Sequence, residues 1–120
     1  MKLNIKATNV ILQDSIRDYL QKKIIGIEKL LKGTDDDLVK LDVELCRETN
    51  HHKTGDIFRA EMNCQIGKNL LRAESLGEDL ATAIDIVKDE IVKEIKALQG
   101  KKRTKLISGA RKLKGKVRGV

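Results

Sequence analysis

The spacing of apolar residues changes several times along this chain, and each change predicts an element. Leu3, Ile5 and Ala7 alternate with Lys2, Asn4, Lys6 and Thr8, which predicts a short half-buried strand. From about Gln13 the period lengthens: Ile16, Leu20, Ile24, Ile27 and Leu31 form one stripe of an amphipathic helix. Gly33 ends it, and Thr34-Asp35-Asp36-Asp37 reads as a solvated polar turn, without the spaced oxygen ligands of a calcium loop. Alternation returns at Val39, Leu41, Val43 and Leu45, with Lys40, Asp42 and Glu44 facing the other way. After a loop over residues 49–55, Phe58, Ala60, Met62, Cys64 and Ile66 point inward in a second run. Gly67-Lys68-Asn69 turns into a third, carried by Leu71 and Ala73. These three runs predict an antiparallel meander with one wet face. Ser75-Leu76-Gly77-Glu78 has the form of a capping box and opens a second helix with the stripe Leu80, Ile84, Val87, Ile91, Ile95 and Leu98, which Gly100 ends.

The expected fold class is therefore α+β, in the order β-α-β-β-β-α, with two helices laid over one face of a four-stranded sheet. Residues 1–100 form the domain, and residues 101–120 a basic tail expected to be disordered when free.

Charge sharpens this division. The formal net charge is +7, but residues 99–120 hold nine lysines and arginines and no acid, so residues 1–98, with 16 basic and 18 acidic side chains, sum to −2. A like-charge block repels itself until a polyanion neutralises it, and nucleic acid, RNA in particular, is the polyanion it points to; a merely solubilising extension is the other reading. Aromatic residues are limited to Tyr19 and Phe58, so the core must be aliphatic. No apolar run suits a membrane span, and the first residues do not read as a signal peptide; the expectation is a cytoplasmic protein in a reducing compartment.

The candidate chemistry is sparse. Cys46 falls on the outward side of its strand, opposite roughly Ile57, while Cys64 belongs to the inward set, so neither a disulfide nor a shared metal is expected. His51-His52 lack a third ligand and read as loop residues or phosphate contacts. No nucleophile elbow, phosphate-binding glycine loop or catalytic triad is legible, and no cofactor or small-molecule substrate is implied. The sheet lacks the exposed aromatics with which an RNA-recognition motif stacks bases. Helix faces remain. Lys22 and Lys29, with Ile25 between them, lie opposite the first stripe, and Lys93 and Lys96 on the outer face of the second helix, whose N-terminal half carries Asp85 and Asp89.

Several stretches then carry a resemblance. Asn9-Val10, Ile16-Arg17-Asp18-Tyr19-Leu20-Gln21-Lys22-Lys23, Leu71-Arg72-Ala73-Glu74-Ser75, and Asp79-Leu80-Ala81-Thr82-Ala83-Ile84-Asp85 continuing to Lys88, Lys93 and Lys96 resemble the ribosome hibernation-promoting factor and ribosome-associated inhibitor family. The resemblance covers residues 1 to about 103 and looks like a short form. It implies a fold related to double-stranded-RNA-binding domains, and a stress factor, not an enzyme. Such a factor binds the small ribosomal subunit and its 16S-type rRNA in the channel for messenger and transfer RNA, blocks translation, and is a monomer off the ribosome. The expected rRNA contacts are Lys22, Lys23, Lys29, Lys88, Lys93, Lys96, Lys101, Lys102 and Arg103. Ala7, Thr8, Gln13, Ala81 and Glu90 depart from the family pattern, and the tail is expected to supply attraction that the body gives up. The alternative is a general RNA-binding or RNA-chaperone module of the same fold acting on free RNA.

Overall fold

A computed structural model describes the backbone of residues 1–49 and 55–113 and the side chains of residues 1–48, 55 and 57–101. The elements follow in the order β1 (Lys2–Thr8), α1 (Asp14–Leu30), a short 3-10 turn (Asp36–Leu38), β2 (Val39–Thr49), β3 (Asp56–Ile66), β4 (Asn69–Gly77) and α2 (Leu80–Leu113). The sheet order is β1-β2-β3-β4. Strand β1 runs parallel to β2, from Lys2 opposite Lys40 to Thr8 opposite Cys46, and the parallel step needs the crossover that α1 supplies. The β2–β3 and β3–β4 pairs are antiparallel, as the meander requires.

The core is the one the periodicity assigns. Leu20, Ile24 and Ile27 from α1, Leu41, Val43, Leu45, Ala60, Met62 and Cys64 from the sheet, and Ile84, Val87, Ile91 and Ile95 from α2 are buried together between the helices and one sheet face. Burial pushes the Cys64 thiol up to about 11, as expected of an inert thiol inside an aliphatic core. The first helix stops where Gly33 takes a positive φ of 98° and the Thr34 N–H bonds the Leu31 carbonyl at 3.0 Å. In the following turn the Asp35 side chain accepts the Asp37 N–H at 3.0 Å, while Asp36 pairs with the Met1 ammonium at 2.9 Å.

Four expectations need correction. Strand β1 is more exposed than half-buried, with Leu3 and Ile5 accessible, because it is an edge strand paired on one side only. Ser75 and Gly77 belong to β4, so the capping box does not open the second helix; Asp79 does, accepting the Thr82 N–H at 2.7 Å. Ser75 is instead buried, and its hydroxyl donates to the Ala83 carbonyl at 2.6 Å, tying β4 to α2. Cys46 stands opposite Arg59, not Ile57, and although it lies on the outward side it is buried. The Arg59 guanidinium spans from Glu44 (3.6 Å) to Glu48 (3.0 Å) and Glu74 (3.3 Å), laying the side chain across that position. Finally, α2 does not end at Gly100 but runs through it to Leu113. A single glycine costs a helix about 1 kcal/mol relative to alanine, which the good helix formers around it can outweigh.

Candidate nucleic-acid interface

The two faces of the molecule differ in how their charges are spent. On the open sheet face, acids and bases neutralise one another. Besides the Arg59 cluster, Arg72 pairs with Glu61 (3.3 Å), Lys6 with Glu44 (3.8 Å) and Lys40 with Asp42 (3.9 Å). Asn63 donates to Glu61 and Thr8 to Glu44, and Leu70 and Leu76 lie exposed beside these polar groups. This face offers phosphates little uncompensated positive charge.

The helix layer is different. Tyr19 of α1 meets Asp85 of α2, and the Gln99 side chain donates to the Leu30 carbonyl at 2.8 Å, so the two helices run side by side in the same direction. The C-terminal end of α1 therefore lies beside the Gln99 stretch of α2, and the α1 dipole there favours a cation. Lys29 stands in the last turn of α1, and Lys93, Lys96 and Lys101 follow along α2. Asp14 in the first turn of α1 and Asp79 capping α2 mark the other end, while Glu28, Glu90 and Glu94 stand exposed among the lysines. From Leu98 to Leu113, α2 continues for about 22 Å at 1.5 Å per residue, carrying the first part of the basic segment away from the core.

The nine nominated residues do not form one group. Lys22, Lys29, Lys96 and Lys101 are exposed, and among the described residues no ion pair engages them. Lys93 is exposed too, with Glu90 at 3.8 Å. Lys23 and Lys88 instead line the seam between the helices. The Lys23 ammonium lies 3.2 Å from Asp85 and 5.0 Å from the centre of the Tyr19 ring. Lys88 crosses Gly26, where a side chain's Cβ would stand 3.7 Å from its Cε. The side chains of Lys102 and Arg103 lie outside the described residues, as do His51 and His52.

Asp85, expected on the outer face, turns out to be the centre of this seam. It accepts the Tyr19 hydroxyl, and that hydrogen bond, followed by the one from Lys23, holds its carboxyl below the usual carboxylate range. The same contacts raise the Tyr19 phenol and the Lys23 ammonium above their ordinary values, because the first must give its proton up beside an anion and the second keeps its own there. Reading single residues missed this cluster. The signal was present: Tyr19 and Lys23, four apart, flank one side of the α1 stripe, and Asp85 flanks the facing side of α2. Among the described residues no group of acidic, histidine and cysteine side chains could hold a metal ion, and no helix is long and apolar enough to cross a membrane.

Comparison with known proteins follows the same outline. Residues 3–103 match the family described as sigma 54 modulation protein / S30EA ribosomal protein. A ribosome hibernation promotion factor from Picosynechococcus sp. is 32% identical over 101 residues, covering 84% of this chain and 50% of the relative. The chain thus spans about half the length of that curated relative. Among solved structures, the Thermus thermophilus Protein Y N-terminal domain matches with a TM-score of 0.60 at 26% identity, over 82% of this chain and 99% of that one. A ribosomal subunit interface protein from Coxiella burnetii matches with a TM-score of 0.58 at 12% identity, over 83% and 99%, a likeness of fold alone.

Proposed function

The chain belongs to the sigma 54 modulation protein / S30EA ribosomal protein family, and from that premise we propose that it is a ribosome hibernation factor acting in the cytoplasm. In this reading it binds the small ribosomal subunit, lies in the channel that messenger and transfer RNA use, and blocks translation by occupancy. The relative's name supplies the process, and the charge distribution supplies the mode. The observation that carries the reading is the helix layer, where Lys22, Lys29, Lys96 and Lys101 are exposed with no ion pair among the described residues, while charged groups of the open sheet face pair with one another. Lys22, Lys29, Lys93, Lys96 and Lys101 are the phosphate contacts, joined by Lys102, Arg103 and the rest of the basic segment. Lys23 and Lys88 contribute charge from the seam.

Binding of this kind is electrostatic, so it weakens with salt in proportion to the phosphates neutralised. Blocking by occupancy makes inhibition stoichiometric and reversible. The test is a cell-free translation assay titrated with the protein. Inhibition saturates near one protein per ribosome and is relieved by raising messenger RNA or initiator transfer RNA. Substoichiometric inactivation, or cleaved rRNA after incubation, would overturn occupancy in favour of chemistry.

A further inference from the structure

Three groups from two elements converge at the seam between the helices: Tyr19 and Lys23 from α1, and Asp85 from α2. Lys23 is held twice, by the carboxylate at 3.2 Å and by the ring face at 5.0 Å. Lys88, one turn beyond Asp85, lies across the gap left by the missing side chain of Gly26. Apart from the Gln99 hydrogen bond to Leu30, these are the polar ties between α1 and α2 among the described residues. The exposed lysines sit on the outer faces of the same two helices, so the seam sets how far apart the Lys22–Lys29 row and the Lys93–Lys96 row stand. An acid in a surface meant for phosphate is otherwise a liability.

We infer that Asp85 is a positioning residue: with Tyr19 and Lys23 it clamps α1 to α2 so that the two outer lysine rows meet the nucleic-acid backbone in register. The inference rests on the ribosome reading above and deepens it. It makes a prediction opposite in sign to simple electrostatics. Removing Asp85 raises the net charge by one, which alone would tighten binding to RNA. Loss of the clamp instead costs phosphate contacts, each worth a log–log salt slope of roughly 0.7–0.9 and therefore about fivefold in affinity near 0.1 M salt.

The experiment compares the parent chain with Asp85→Ala and Tyr19→Phe in binding to purified small ribosomal subunits across salt concentrations. Tyr19→Phe keeps the ring and the net charge, so it reads the clamp without an electrostatic change and with the core intact. Loss of one to two contacts should make both variants bind about five- to sixtyfold more weakly near 0.1 M salt, with slopes lower by roughly 0.7–1.8. A merely destabilised fold lowers the active fraction and leaves the slope unmoved. The clamp is also readable without ribosomes, because Tyr19 is the chain's single tyrosine and there is no tryptophan. Its ultraviolet titration should lie above the ordinary phenol in the parent and fall back toward it in Asp85→Ala. A parent phenol that titrates normally overturns the clamp. Variants that bind as tightly as the parent, with equal slopes, overturn the positioning role alone. A parent chain that binds no subunits overturns the ribosome reading and this role with it.

Discussion

One chemical change, glycine to alanine, should move stability in opposite directions at different positions of this fold. At Gly77 the end of β4 passes against the start of α2. A Cβ there would stand 2.9 Å from the Ala83 backbone nitrogen, and 3.2 Å from both the Asp79 carbonyl oxygen and the Thr82 Cβ. Two of these neighbours are backbone in a capped helix turn, so they cannot swing aside as a flexible side chain would. Overpacking of this kind costs about 1–3 kcal/mol. Gly26 sits inside α1, and its Cβ would meet Lys88 Cε at an ordinary 3.7 Å, so alanine there removes backbone freedom from the unfolded chain at no steric cost. The gain is about 0.5–1 kcal/mol. Gly100 has open space around it and lies within α2, so alanine should stabilise the helix there by a similar amount. Urea and thermal unfolding followed by circular dichroism at 222 nm provide the measurement, and 1 kcal/mol corresponds to about 4–8 °C for a domain of this size. Gly77→Ala should melt lower, Gly26→Ala higher, and Gly100→Ala should gain helical signal. A neutral Gly77→Ala would refute the close approach. A Gly100→Ala that loses helix would restore a helix end at that position.

Ile84→Asp places an unpaired carboxylate in a fully buried core position and should cost about 3 kcal/mol or more, read as a large fall in the urea midpoint. Because the Asp85 carboxyl is depressed in the fold, its stabilisation is complete above the ordinary aspartate value near ~3.9 and is lost as pH falls through the lower folded value. Below about pH 4 the parent should therefore lose stability more steeply than Asp85→Asn, and parallel profiles would count against the pairing. Removing residues 101–120 should lower the salt slope of subunit binding by roughly 3–5 if about five of the nine charges meet phosphate; equal slopes would exclude the segment from the contact.

The sequence pattern made the architecture legible because both periods are clean: Val39 to Leu45 alternate strictly, and Leu80 to Ile95 keep one helical stripe. Its failures have local causes. Ser75 and Glu78 carry a capping spacing, yet the strand continues through Gly77, since pairing of β4 with β3 satisfies backbone groups that a helix start would leave open. The hairpin between β2 and β3 pairs Thr49 with Asp56, and that register sets Cys46 opposite Arg59, two residues from the expected Ile57. Gly100 looked like a stop because glycine is a weak helix former, but the flanking Gln99, Lys101 and Lys102 are strong ones. The outer lysines were legible from periodicity alone. Of the Tyr19–Lys23–Asp85 seam the sequence shows only the flanking positions on each helix; their meeting needs the parallel placement of two helices, which brings residues 66 apart in sequence together.

The most direct test of the account is cryo-electron microscopy of small ribosomal subunits and whole ribosomes incubated with the protein. The account predicts one copy per small subunit in the messenger and transfer RNA channel. The helix layer and the lysine-rich end of α2 should face rRNA, and the open sheet face should be turned away. Density outside that channel, or a copy whose sheet face rather than its helix layer lies against rRNA, would contradict it.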